Sequence, residues 1–135
     1  MTITVSGVMI AARDMAAKLE VSVRRVIAFS ACSDFSTYVD VDGDDFHWIV
    51  AERAGREVKR RTTRSLDELM HWLAVEVTFH MAWEWGMEQR SRFPEREVIG
   101  TDRLARQVEL LRRLDGSWAA QAQEGHVDAH SPAFG

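Results

Sequence analysis

The sequence has very little cysteine: Cys32 is the only one among 135 residues. A chain with one cysteine forms no internal disulfide. Such cysteine usage is compatible with the reducing cytoplasm, where we expect the protein to act. The sequence also lacks any apolar run near the length of about 18 residues that a membrane helix needs, so we expect no membrane association. Its first residues lack the basic segment of a secretory signal peptide, and we expect none.

The familiar signatures of catalysis are absent as well. The sequence contains no glycine-rich phosphate loop, no serine in a nucleophile-elbow setting and no His-Glu-x-x-His metal motif. Cys32 has no evident base partner and is interpreted as a small buried or loop residue. We therefore expect no catalytic, cofactor-binding or metal-binding residues, and a protein that acts by binding.

What the sequence does contain is the composition of a globular domain. Hydrophobic residues make up 46 % and charged residues 28 % of the chain, which argues against disorder. A domain of this length buries roughly two-thirds of its unfolded surface. We expect one domain over residues 1–124 and a frayed tail over residues 125–135.

Charge is distributed unevenly along the chain. The net charge is −4, yet residues 52–64 hold six basic and two acidic side chains, so the remainder carries −8. The basic segment either contacts phosphate or pairs its long cationic side chains with neighbouring acids. The second interpretation is favoured, and nucleic acid is not the expected partner, because a nucleic-acid binder is usually basic overall.

The first third of the chain begins with an amphipathic pattern. Hydrophobic spacing predicts a helix over residues 5–20, whose apolar face comprises Val8, Ala12, Met15, Ala16 and Leu19. The next residues, to about Phe29, fit either a short helix or a strand. The serine-rich run over residues 30–37 is typical of a loop.

Two-residue alternation then predicts three strands, over residues 38–41, 46–52 and 56–63. Asp42-Gly43 and Ala54-Gly55 are tight-turn signals between them. Strands joined by such short turns form an antiparallel meander, which needs a helix to cover its apolar face.

That helix is predicted over residues 65–89. Ser65 opens a capping box, in which its hydroxyl accepts the N–H of Glu68 and the Glu68 carboxylate reaches back to the N–H of Ser65. An amphipathic helix then ends at Leu114, with Leu104, Val108, Leu111 and Leu114 facing inward, and a short helix follows over residues 117–123. The predicted fold is α+β: an N-terminal helix, a three-stranded antiparallel meander, then a long central helix and two further helices packed on the sheet.

An acidic turn joins the first two predicted strands. Asp40, Asp42, Asp44 and Asp45 superficially resemble a calcium loop, but an EF-hand needs its glycine at the sixth position and a glutamate at the twelfth. Here Gly43 is fourth, and Ala51 stands where the glutamate is required. We interpret the turn as exposed, and Asp42, Asp44 and Asp45 as candidate contacts for a basic partner.

Three ionisable residues share one face of the long predicted helix. Glu76, His80 and Glu84 are four residues apart and fall within its apolar arc. Buried carboxylates must be paired, and the favoured interpretation is pairing with arginines from the strand or from the next helix. One alternative is a functional pocket or partner-binding groove. Another is a small metal-dependent or acid–base enzyme built on these three residues.

Five tryptophans are present, an unusually high number for this length. Trp48 and Trp72 are interpreted as core residues. Trp85 falls on the polar side of a helical wheel, where it would be either an exposed interface anchor beside Trp83 and Met87 or a residue covered by the charged segment 91–100.

Several segments together resemble the immunity protein 63 family, whose members are assigned to bacterial polymorphic toxin systems. They are Tyr-Val-Asp-Val-Asp-Gly (38–43), Trp-Ile-Val-Ala-Glu-Arg (48–53), Arg-Arg-Thr-Thr-Arg-Ser-Leu-Asp-Glu-Leu (60–69), Glu-Val-Thr-Phe (76–79) and Gln-Val-Glu-Leu-Leu-Arg-Arg-Leu-Asp (107–115) with Trp118. The likeness covers about residues 38–120, and the segment over 60–69 is its most specific part. After Phe79 the sequence departs from an Asp-Tyr-Glu-Leu-like run and has Glu84-Trp85-Gly86-Met87 instead.

The resemblance implies a small, non-catalytic cytoplasmic antidote that binds a cognate toxin domain and blocks it. An acidic surface suits a basic, nuclease-like toxin. The expected contacts are Asp42, Asp44 and Asp45 in the acidic turn and Glu76, His80, Glu84 and Trp85 on the long helix. The sequence leaves the identity of the toxin and the oligomeric state open.

Overall fold

The structure of the chain, a computed structural model, describes residues 5–32, 35–52, 55–95 and 100–124. The chain divides into two compact units, with the boundary after Ala74. The first unit contains the helices α1 (Val5–Leu19) and α2 (Val23–Ile27), the strands β1 (Ala28–Cys32), β2 (Phe35–Asp42), β3 (Asp45–Glu52) and β4 (Glu57–Thr63), and the start of α3 (Leu66–Arg92). The second contains the rest of α3, α4 (Gly100–Arg112) and α5 (Gly116–Gln123).

The predicted α+β class and the order of helix, meander and helices are confirmed. The sheet has the order β1-β2-β3-β4, and each neighbouring pair is antiparallel. The three predicted strands correspond to β2, β3 and β4. The prediction of a loop over residues 30–37 was wrong for its described residues, because β1 extends to Cys32 and β2 begins at Phe35, and residues 33 and 34 lie outside the described ranges. Backbone pairing of β1 with β2 overrides the loop-like composition of this segment, since strand formation depends on the neighbouring strand more than on local propensity.

The apolar face predicted for α1 is the buried one. Val8, Ala12, Met15, Ala16 and Leu19 are all buried. Strand β3 is more deeply buried than its alternation predicts, because residues on both of its faces are covered. Phe46, Trp48 and Val50 point to one side, and His47, Ile49 and Ala51 to the other.

Trp48 is completely buried, as predicted for a core residue. Trp72, the other tryptophan assigned to the core, is only partly buried. The guanidinium of Arg61 on β4 lies over its ring, with Cζ 4.1 Å from the ring centroid. Burial lowers the pKa of Arg61, and this cation–π contact joins the start of α3 to the sheet.

The N-terminus of α3 is capped by one half of the predicted capping box. Ser65 Oγ accepts the backbone N–H of Glu68 at 3.1 Å, as expected. The backbone N–H of Ser65 donates to Thr63 Oγ1 at 3.0 Å, where the prediction assigned the Glu68 carboxylate. A hydroxyl two residues earlier is close enough to satisfy this donor through a local turn.

In the second unit, α4 buries a different stripe from the predicted one. Val108 and Leu111 are buried, but Leu104 is 37 % exposed and Gln107 is 4 % exposed. Gln107 Nε2 donates to the Val75 carbonyl at 3.1 Å and to Thr78 Oγ1 at 3.3 Å on α3. These hydrogen bonds allow a polar amide to be buried at a position that the hydrophobic pattern did not assign to the core.

Candidate partner-binding surfaces

The predicted acidic turn is a tight hairpin turn between β2 and β3. Asp42 ends β2 and lies directly opposite Asp45, which begins β3. Gly43 occupies the first turn position with a φ of +61°, a left-handed conformation that glycine adopts without steric cost and that a two-residue hairpin turn requires. Asp42 and Asp44 are exposed, whereas Asp45 is partly buried. The structure therefore places these three predicted residues together.

Among the described residues, one of the four carboxylates near this turn is paired with a cation and three are not. Asp45 Oδ1 accepts a hydrogen bond from Arg64 Nε at 3.0 Å, and this bond is the main reason that the pKa of Arg64 is raised. Asp40, Asp42 and Asp44 are exposed, and they form no ion pair with a cation in the described part of the chain. We call these three residues the acidic hairpin surface. Asp40 and Asp42 point to the same face of β2, because side chains alternate along a strand.

Basic side chains on and next to β4 pair with neighbouring acidic side chains. Arg60 donates to the carboxylate of Glu57, with a shortest distance of 2.6 Å. This hydrogen bond raises the pKa of Arg60 and lowers the pKa of Glu57. Arg56 pairs with Glu52 at 3.2 Å. This pairing is the interpretation that the sequence favoured. The carboxylates of the acidic hairpin surface form no such ion pair among the described residues, although Asp40 and Asp44 attract Arg60 and Arg64 electrostatically.

Glu76 and His80 form an internal pair on α3. Glu76 is completely buried and His80 is 7 % exposed. His80 Nε2 lies 3.2 Å from Glu76 Oε1, within hydrogen-bonding distance, because residues four apart on a helix are neighbours. This partner comes from the same helix, where the sequence suggested arginines from other elements. Since both side chains are buried, their predicted contact with a partner stays a prediction that only a complex would test.

Glu84 does not join this pair in a metal-binding arrangement. Its side chain is exposed, whereas Glu76 and His80 are buried. Across the described ranges, no group of three or more His, Cys, Asp or Glu side chains is arranged to hold a metal ion. The metal-dependent form of the alternative enzyme function gains no support from this geometry.

The exposed tryptophan of α3 is Trp83. Its side chain is 46 % exposed, and that of Met87 is 58 % exposed. Trp85 is partly buried, and the guanidinium carbon of Arg106 lies 5.9 Å from its ring centroid. Of the two interpretations of Trp85, exposed or covered, the structure favours the covered one, and the sequence did not predict the arginines of α4 that lie over Trp83 and near Trp85. The sequence signal was the spacing of Arg103 and Arg106, which places both on one face of α4.

The predicted contact residues thus fall into two groups. The acidic residues Asp42, Asp44 and Asp45 lie in the first unit, and the helical residues Glu76, His80, Glu84 and Trp85 lie in the second. Among residues that the structure describes, no helix has both the length and the apolar character to span a membrane.

Comparison with known proteins identifies a family. The model of the family described as Immunity protein 63 matches residues 42–128, which is more than half of the chain. No curated protein and no solved structure gives a significant match. The matched region begins at the acidic turn and includes β3, β4 and all of α3, α4 and α5. The chain therefore belongs to the immunity protein 63 family.

Proposed function

We propose that this protein is a non-catalytic immunity protein of a bacterial polymorphic toxin system, which binds and neutralises a cognate toxin domain in the cytoplasm of the producing cell. Membership of the immunity protein 63 family is the observation that carries this proposal. The whole of residues 1–124 acts as one binding domain, and the tail predicted over residues 125–135 lies outside the described residues.

The acidic hairpin surface is the proposed first contact with the toxin. Its three carboxylates are exposed on a protein of net charge −4, while arginines of the same sheet are paired internally. A basic toxin domain, such as one that binds nucleic acid, is the complementary partner. Opposite charges of this kind accelerate association and make its rate sensitive to salt.

The test uses a candidate toxin domain taken from the genes that adjoin the gene for this protein. Its association rate is measured by stopped-flow fluorescence over a series of salt concentrations, with the wild type and with an Asp42→Asn/Asp44→Asn variant. We expect the variant to associate about tenfold more slowly at low salt and to depend less on salt.

A matched control separates local from global charge. Asp14→Asn/Glu20→Gln removes the same two negative charges from exposed positions at α1, and its association rate should stay within about twofold of the wild type. Failure of the wild-type protein to bind the toxin would contradict the proposed function. Equal rates for the hairpin variant and the control would contradict only the assignment of the surface.

A further inference from the structure

An exposed stripe runs along the second half of α3. Trp83, Met87 and Arg90 are exposed and recur at positions i, i+4 and i+7, so that they line up on one side of the helix. The stripe is about 10 Å long, because each residue of a helix advances 1.5 Å along its axis. It therefore presents two large apolar side chains with a cation at one end.

A second cation lies at the other end of the stripe. The guanidinium carbon of Arg103, on α4, is 4.0 Å from the centroid of the Trp83 ring. Arg103 Nε is buried and has no hydrogen-bond acceptor among the described residues. The contact that the structure shows for this guanidinium is stacking on the indole. We call Trp83, Met87, Arg90 and Arg103 the anchor stripe.

Gly86 makes the approach of Arg103 to α3 possible. A Cβ atom at this position would lie 2.7 Å from Arg103 Nε and 3.3 Å from its Cζ. Glycine is a poor residue for a helix interior, and here its missing side chain provides the space that Arg103 occupies. The stacked geometry is consequently formed before any partner binds, which reduces the conformational entropy lost on binding.

The two guanidinium groups of the anchor stripe have no carboxylate partner among the described residues. Other arginines of the same unit do have one: Arg92 pairs with Glu88, and Arg106 pairs with Glu109. An arginine that stacks on an aromatic ring can still donate bidentate hydrogen bonds to a carboxylate. The charge that complements both ends of the stripe is therefore negative.

We infer that the anchor stripe is a second contact site for the toxin domain and that it binds a segment of the toxin with an apolar side chain between two carboxylates. The apolar side chain packs on Trp83 and Met87, and the carboxylates accept hydrogen bonds from Arg90 and Arg103. Tryptophan, methionine and arginine are the side chains that protein interfaces favour over other surface, and tryptophan and arginine contribute most to their affinity. The identity of the partner rests on the proposed function.

The inference is tested with the full chain and the purified toxin domain by surface plasmon resonance. Trp83→Ala should raise the dissociation constant at least about tenfold, and Met87→Ala and Arg90→Gln about three- to tenfold each. The change should appear mainly in the dissociation rate, as is usual for buried interface contacts. Met87→Ala and Arg90→Gln keep the test decisive if Trp83→Ala perturbs the fold.

Two control variants make comparable changes at other exposed positions. Ile10→Ala shortens an apolar side chain that is 68 % exposed on α1. Arg112→Gln neutralises an exposed arginine in the last turn of α4, as Arg90→Gln does in the last turn of α3. Both controls should bind the toxin within about twofold of the wild type.

The possible outcomes separate this inference from the proposed function. If the wild type binds the toxin but all three stripe variants bind as tightly as the controls, the inference is overturned and the proposed function stands. If the wild type does not bind the toxin, the proposed function itself fails. A dimer in sedimentation velocity that Met87→Ala dissociates would assign the stripe to a second copy of the chain and also overturn the inference.

Discussion

Replacement of Gly86 by alanine tests whether the space at this position allows Arg103 to stack on the Trp83 ring. In a helix interior, alanine is about 1 kcal/mol more favourable than glycine. The added Cβ would lie 2.7 Å from Arg103 Nε, so the arginine must move away from the Trp83 ring. Loss of that cation–π contact costs about 0.5–2 kcal/mol. We therefore expect Gly86→Ala to change the free energy of unfolding by less than about 1 kcal/mol in the wild-type background, since the two effects oppose each other.

The same substitution should behave differently when the arginine is absent. In an Arg103→Ala background, no guanidinium opposes the new Cβ, and Gly86→Ala should stabilise the protein by the full value of about 1 kcal/mol. The double-mutant cycle should then give a coupling energy of about 1 kcal/mol between the two positions. The free energies come from urea unfolding followed by far-ultraviolet circular dichroism and by tryptophan fluorescence, whose transitions must coincide for two-state values to hold.

Gly116→Ala is the matched control for this cycle. Gly116 is the first residue of α5, and a Cβ there meets no atom within 4 Å. Its effect on the free energy of unfolding should be the same with and without Arg103. If Gly86→Ala also gave the same stabilisation in both backgrounds, the steric relationship between Gly86 and Arg103 would be refuted, and with it the preformed end of the anchor stripe.

Four further substitutions test three local contacts of the fold. Ser65→Ala removes the hydroxyl that caps α3 and should cost about 1 kcal/mol in urea unfolding. His80→Ala removes a hydrogen bond to buried Glu76 and leaves a cavity, for an expected loss of about 2 kcal/mol, whereas Glu76→Gln should cost less because an amide oxygen still accepts a hydrogen bond. The Arg60 guanidinium holds the pKa of Glu57 below its ordinary value of 4.5, so ionised Glu57 stabilises the fold above pH 4.5 and this contribution is lost as the pH falls through the lower folded-state pKa. Glu57→Gln should make stability less dependent on pH in this acidic range, and an unchanged pH profile in thermal unfolding would contradict the pairing.

Periodic elements were predictable because their pattern is local. The buried residues of α1 repeat every three or four positions, from Val8 to Leu19, and the structure buries the same face. The turn at Asp42-Gly43 was predictable because glycine readily adopts a positive φ there. The acidic residues beside Gly43 could be placed in this turn because the strands on either side of it were predicted as well.

The parts that the sequence did not predict depend on partners distant in the chain. Strand β1 is defined by its pairing with β2, which composition does not specify. Gln107 is buried although it is polar, because hydrogen-bond acceptors on α3 lie within its reach. The arginines of α4 that lie over Trp83 and near Trp85 are likewise not specified by the pattern of α3. In each case, a contact between elements overrides the hydrophobic pattern.

Titration of the toxin's activity tests the central claim, that this protein acts by occupying the surface of another protein. The purified toxin domain is assayed at a concentration well above the dissociation constant while this protein is added in steps. The account predicts that activity falls linearly to its minimum at one equivalent, with the mass of the toxin unchanged in mass spectrometry. Full loss of activity at a small fraction of an equivalent, a chemical change in the toxin, or undiminished activity in excess protein would contradict it.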